Sequence, residues 1–96
     1  MNKEVETLIT GRLDIEQAYD TRGYLRPTLH SFSNEYVNAV REGLATLIET
    51  RELSVQDYDD LTNGIEFEDE DSLYEYLGKI YDYLFGDLAE QPRPPE

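Results

Sequence analysis

Ninety-six residues make one domain, with room for a single core that buries roughly 65% of the surface an unfolded chain exposes. Twenty-two Asp and Glu against eight Lys and Arg leave a formal net charge of −14, a balance that argues against direct binding to nucleic acid or to an anionic membrane. The absence of cysteine removes disulfides, thiolate catalysis and most zinc sites, and no apolar run approaches the roughly 20 residues of a membrane span.

The opening residues, Met1 to Glu4, lack the apolar stretch of a secretory signal, so a cytoplasmic protein is expected. Val5, Leu8 and Ile9 stand at helical spacing and predict a first helix over about residues 2–10, stopped by Gly11. Asp14 with Gln17 three residues on reads as an N-cap opening a second short helix to about Thr21. Residues 22–32 read as the main loop, because Gly23 and Pro27 interrupt helix and Pro27 pushes Arg26 toward extended geometry. Ser33 or Ser31 then caps the clearest helix, about 33–50. Its stripe is Tyr36, Val37, Val40, Leu44, Leu47 and Ile48, and Phe32 is placed to staple onto Val37.

Ser54 caps the next helix, about 54–62, with Asp57 as capping partner and Asn63-Gly64 as the stop. An acidic loop follows, Glu66 to Asp71. The last helix spans about 71–86, with Leu73, Leu77, Ile80 and Leu84 inside and acids at its positive end. The expected fold is all-α: a small single-domain bundle of four to five helices over residues 1–88, built as two helical hairpins plus a C-terminal helix. Residues 89–96 read as a flexible Pro-rich tail. Residues 7–20 echo 46–59 without gaps, in Thr7/Thr46, Leu8/Leu47, Ile9/Ile48, Arg12/Arg51, Gln17/Gln56, Tyr19/Tyr58 and Asp20/Asp59. The capping pairs fall one residue out of phase, which favours convergent corners over duplication.

The charge is segregated. No basic residue lies between Arg51 and Lys79, and that gap holds Glu52, Asp57, Asp59, Asp60, Glu66, Glu68, Asp69, Glu70, Asp71 and Glu75. A charge packed this closely costs self-repulsion and is useful for meeting something positive. A solubilising face is the plainer account, but this strip is threaded with Tyr58, Leu61, Ile65, Phe67, Leu73 and Tyr76 and is no tail.

No chemistry of catalysis stands out. Counting from Asp59, residues Asn63, Gly64 and Glu70 fall at calcium-loop positions, but Leu61 occupies a ligand position and cannot ligate. His30 is the lone histidine and stands in a Gly/Pro loop beside Arg26 and Ser31, where a capping or surface role is expected. No two carboxylates are marked as a tuned acid and base, and no phosphate loop is present. Neither a catalytic residue, a metal site nor a cofactor is assigned, and no enzyme is expected.

Four of the eight tyrosines lie in the last helix, at 74, 76, 81 and 83. Pairs at i, i+7 fall on two faces, so Tyr74 or Tyr83 is expected on the surface among acids. Tyrosine gives rigid contact area at low entropy cost, and adjacent acids supply charge-assisted hydrogen bonds to Arg and Lys. The expected partner-binding set is Asp57, Asp59, Asp60, Glu66, Glu68, Asp69, Glu70, Asp71 and Glu75 for the field, with Tyr58, Tyr74 and Tyr83 as anchors.

Small, cysteine-free, acidic and tyrosine-rich, the chain is similar in character to bacterial immunity proteins that neutralise nuclease toxins, and to phage-encoded DNA mimics and anti-CRISPR inhibitors. The likeness is one of class and carries no shared motif. It implies carboxylates occupying the groove where a basic partner holds phosphates. The expected partner is a basic protein, a nuclease toxin or a nucleic-acid-binding complex, with a phage anti-defence protein as the alternative. A non-inhibitory adaptor or regulatory subunit is the third reading.

Overall fold

The structure is a computed structural model and describes all 96 residues. Five helices follow one another: α1 (Lys3–Arg12), α2 (Leu25–His30), α3 (Asn34–Thr50), α4 (Val55–Thr62) and α5 (Glu70–Phe85). Helix accounts for 59% of the chain, and there is no strand. None of the helices is long and apolar enough to cross a membrane.

Helix α1 is capped by Asn2, whose Oδ1 accepts from Val5 N–H at 2.8 Å. The same side chain donates through Nδ2 to the Ala39 carbonyl at 2.8 Å, tying the start of α1 to α3. Gly11 does not stop the helix: it runs on to Arg12 and closes at Leu13, whose N–H donates to Ile9. Asp14 does cap, accepting from Gln17 N–H at 2.9 Å, but only isolated turns follow. A single turn is costly to nucleate, and Ile15 N–H, a donor with no partner inside such a turn, is satisfied by the Thr62 carbonyl of α4 at 2.8 Å.

The expected loop at 22–32 contains α2. Pro27 is the third residue of that helix, inside the first turn, where the missing N–H would have had no helical partner anyway. Helix α3 is capped by Ser33 as expected, and Phe32 packs on Tyr36 at 5.0 Å between centroids. Helix α4 carries the full Ser54–Asp57 capping box and ends at Asn63, in the left-handed region at φ 62°. Helix α5 starts at Glu70, one residue before the expected span, and Asp69 is its cap.

The core is one cluster of 20 buried residues drawn from all five helices, from Leu13 and Ala18 after α1, and from the 65–67 segment. Helix α3 packs between α1 and α5, and α2 leans on α5. Buried positions on α5 are Leu73, Tyr74, Tyr76, Leu77, Ile80, Tyr83 and Leu84, about half of the helix circumference at about 100° per residue.

Residues 89–96 are non-helical, but they lie on the body rather than apart from it. Gln91 and Pro94 are buried, the Tyr19 hydroxyl donates to the Pro95 carbonyl, and the Arg93 guanidinium stands 5.6 Å from the Tyr19 ring. Arg26 donates to the Leu88 carbonyl just before this segment. A radius of gyration of 12.2 Å matches the about 12.5 Å of a fully compact chain of this length. The contact with Tyr19 was not readable from composition, since proline content says nothing about what the segment finds to cover. The two echoing segments also diverge. Arg12 ends α1 and is followed by turns, whereas Arg51 takes the left-handed conformation and is followed by α4.

Candidate functional site

The base-free stretch folds into α4, an extended connection and the first turns of α5. Asp57 sits at the third position of α4, with its Oδ2 accepting from Ser54 N–H at 3.0 Å, and remains exposed. Asp60 accepts from Gln56 Nε2 at 3.1 Å, and Asp59 is half-buried. After Asn63 and Gly64 the chain alternates. Ile65 and Phe67 are buried while Glu66 and Glu68 face solvent, as side chains do along any extended backbone. Ile65 N–H donates to Thr62 Oγ1 at 3.2 Å, and the Phe67 ring packs between Tyr58 and Tyr76, at 5.6 and 5.3 Å. The acidic connection is thereby pinned from inside.

Asp69 accepts from Ser72 N–H at 2.7 Å, and its own N–H is satisfied by the Ser72 hydroxyl at 3.3 Å. Those bonds to Ser72 hold its carboxyl below the ordinary aspartate range. Glu70 and Asp71 face Arg51, at 3.9 and 2.6 Å from Nη1. Glu75 meets Lys79 at 3.3 Å, one turn along α5. Asp57, Asp59, Asp60, Glu66 and Glu68 meet no cation at all, and no three acids or histidine converge tightly enough to hold a metal ion. His30 serves packing: its Nε2 donates to the Leu84 carbonyl at 2.8 Å, and its ring stands edge-on to Phe85 at 5.9 Å.

The tyrosine anchors are corrected by burial. Tyr58 is 0% exposed and Tyr74 and Tyr83 are each 3% exposed, so none can insert into a partner. The Tyr74 hydroxyl donates to the Leu53 carbonyl at 2.8 Å and accepts from Leu53 N–H at 3.0 Å. Tyr58 and Tyr76 bury hydroxyls that have no partner, and burial pushes both phenols well above their ordinary pKa. Tyr74 and Tyr83 lie at opposite edges of the buried arc of α5, and an arginine stands over each. The Arg51 guanidinium lies 5.3 Å from the Tyr74 ring. Arg26 lies 4.1 Å from that of Tyr83, donating through Nε to the Tyr83 carbonyl at 2.6 Å.

The same use of arginine recurs. Arg22, Arg41 and Arg93 stand over Tyr24, Phe85 and Tyr19, which leaves Arg12 as the one arginine not on a ring. Arg51 and Lys79 balance only the α5 end of the strip, and the other ring-covering arginines make no ion pair with it.

Beside the acidic segment, α3 and α5 run antiparallel, and their outer faces leave an open groove of about 560 Å³. Ala45, Ile48, Gly78 and Tyr81 line it, Tyr74 closes one end, and Glu75, Lys79 and Asp82 stand along it. Sequence reasoning passed over this groove. The available signal was Gly78, a glycine in mid-helix with no turn to justify it. Comparison with known proteins returns nothing to set beside this chain: no family model, curated protein or solved structure matches it.

Proposed function

We propose that this protein is an acidic inhibitor that binds a basic nucleic-acid-handling protein and blocks its nucleic-acid groove, in the manner of an immunity protein against a nuclease toxin. One observation carries the reading. Five carboxylates between Asp57 and Glu68 meet no cation, on a segment held in place by Ile65 and Phe67, while five of the six arginines are turned onto aromatic rings. An uncompensated field of this kind speeds encounter with a positive surface and repels nucleic acid. A held segment presents carboxylates at fixed spacing, which suits competition with a phosphate backbone.

The direct test is co-expression with the product of the gene immediately upstream. Rescue of growth from a toxic basic nuclease, lost when Asp57, Asp60, Glu66 and Glu68 are replaced by Asn or Gln, supports the proposal. A neighbour that is neither toxic nor basic moves the reading to an anti-defence role against a nucleic-acid-binding complex, and an association rate unchanged by salt removes both.

A further inference from the structure

Two glycines interrupt the long helices, and only one has an internal reason. At Gly43 the Asn2 side chain occupies the space a Cβ would need. At Gly78 a Cβ would meet nothing within 4 Å, although glycine weakens a helix interior. What its missing side chain does is deepen the groove between α3 and α5, opposite Ala45. Ile48 and Tyr81 stand half-buried along it. Two antiparallel helices with a shallow floor between them present the furrow into which a third helix packs its side-chain ridge.

Charge decides what kind of helix. Lys79 is held by Glu75 at 3.3 Å, so it adds no free cation, and Asp82 has no ion-pair partner. At the Tyr74 end stands Arg51, already bridged to Glu70 and Asp71, so Asp82 is the one uncompensated charge along the groove. A second copy of this chain would bring another −14 and is opposed by repulsion. We propose that the α3–α5 groove seats a basic amphipathic helix of the partner, its apolar stripe over Gly78 and Ala45 and a cation at the unpaired Asp82. This rests on the acidic-inhibitor reading and supplies the apolar anchor that the buried tyrosines cannot.

The test uses the full chain and two peptides of identical Leu, Ala and Lys composition, each about 18 residues, long enough to form helix. One is arranged as an amphipathic helix and the other is scrambled. The amphipathic peptide is expected to shift the amide resonances of Ala45 and Gly78. Gly78→Leu is expected to weaken it about tenfold, as loss of a central contact does, while leaving salt-sensitive binding of the scrambled peptide unchanged. Gly78→Ala, which should fold at least as well as the parent, is expected to weaken the amphipathic peptide in the same direction. Equal binding of both peptides, with shifts confined to residues 57–71 and no effect of Gly78→Leu, overturns the groove and leaves the acidic reading standing. No salt-dependent binding of either peptide overturns the acidic reading and the groove with it.

Discussion

The Asn2 side chain lies directly against Gly43: a Cβ on that glycine would stand 2.6 Å from the Asn2 Cγ. That contact places the α1 cap on α3 and holds together two hydrogen bonds, to Val5 N–H and from Asn2 to the Ala39 carbonyl. Gly43→Ala should therefore destabilise the protein by about 1–3 kcal/mol, through overpacking and loss of the cap, despite the gain in helix propensity. Urea unfolding measures this. A rise of about 1 kcal/mol, the ordinary gain for Gly→Ala in a helix, would show that Asn2 moves aside freely.

Asp69 lies inside the acidic strip yet belongs to the helix. Asp69→Ala should lower Tm by about 4–8 °C, the effect of losing an N-cap in a domain of this size. Its carboxyl is depressed in the fold by its bonds to Ser72. The stability it contributes is therefore present above the unfolded value of about 3.9 and is lost as pH falls through the folded one. Thermal melts from pH 7 to pH 3 should show a constant gap between parent and variant above about pH 5 that closes below about pH 4. A gap indifferent to pH would mean that the ionised carboxylate is not what caps α5.

Two tyrosines should respond oppositely to loss of the hydroxyl. Tyr58 buries its hydroxyl without a partner, so Tyr58→Phe should be neutral or raise stability by about 1 kcal/mol. Tyr74 uses its hydroxyl twice on Leu53, so Tyr74→Phe should cost about 1 kcal/mol. Neither change should alter the on-rate for a basic partner. A binding defect in Tyr58→Phe without a stability change would return that residue to the interface.

Alkali should unfold the protein through the same rings. Burial raises the phenols of Tyr58, Tyr74 and Tyr76 in the folded state. The stability they carry is complete below the unfolded value of about 10 and is lost as pH rises beyond it. Near-ultraviolet absorbance should record these three ionising only as the helical circular dichroism collapses. Smooth ionisation of all eight tyrosines with the helix signal intact would contradict their burial.

Much of the local structure was legible in the sequence because it is set by neighbours three or four residues away. Ser33, the Ser54–Asp57 pair and the Asn63-Gly64 stop all act where the spacing places them. The α3 stripe buries Val37, Val40, Leu44 and Leu47. What was not legible depends on distant partners. The i, i+7 argument sent one tyrosine face of α5 to the surface, but Arg51 and Arg26 reach over Tyr74 and Tyr83 from other elements. Composition likewise gave the C-terminal segment no reason to dock, since its partner Tyr19 lies 76 residues away. Of the expected site, the carboxylates remain at the surface and the aromatic anchors do not.

The alternation of Ile65 and Phe67 with Glu66 and Glu68 has a thermodynamic corollary. A loop of solvated acids would have to be frozen on docking, and each immobilised side chain and backbone unit would subtract from affinity. Here the backbone between α4 and α5 was already fixed when the protein folded. On the proposed inhibitor reading that surface is a preformed template, whose free and bound shapes should superimpose and whose complex should form in a single kinetic phase.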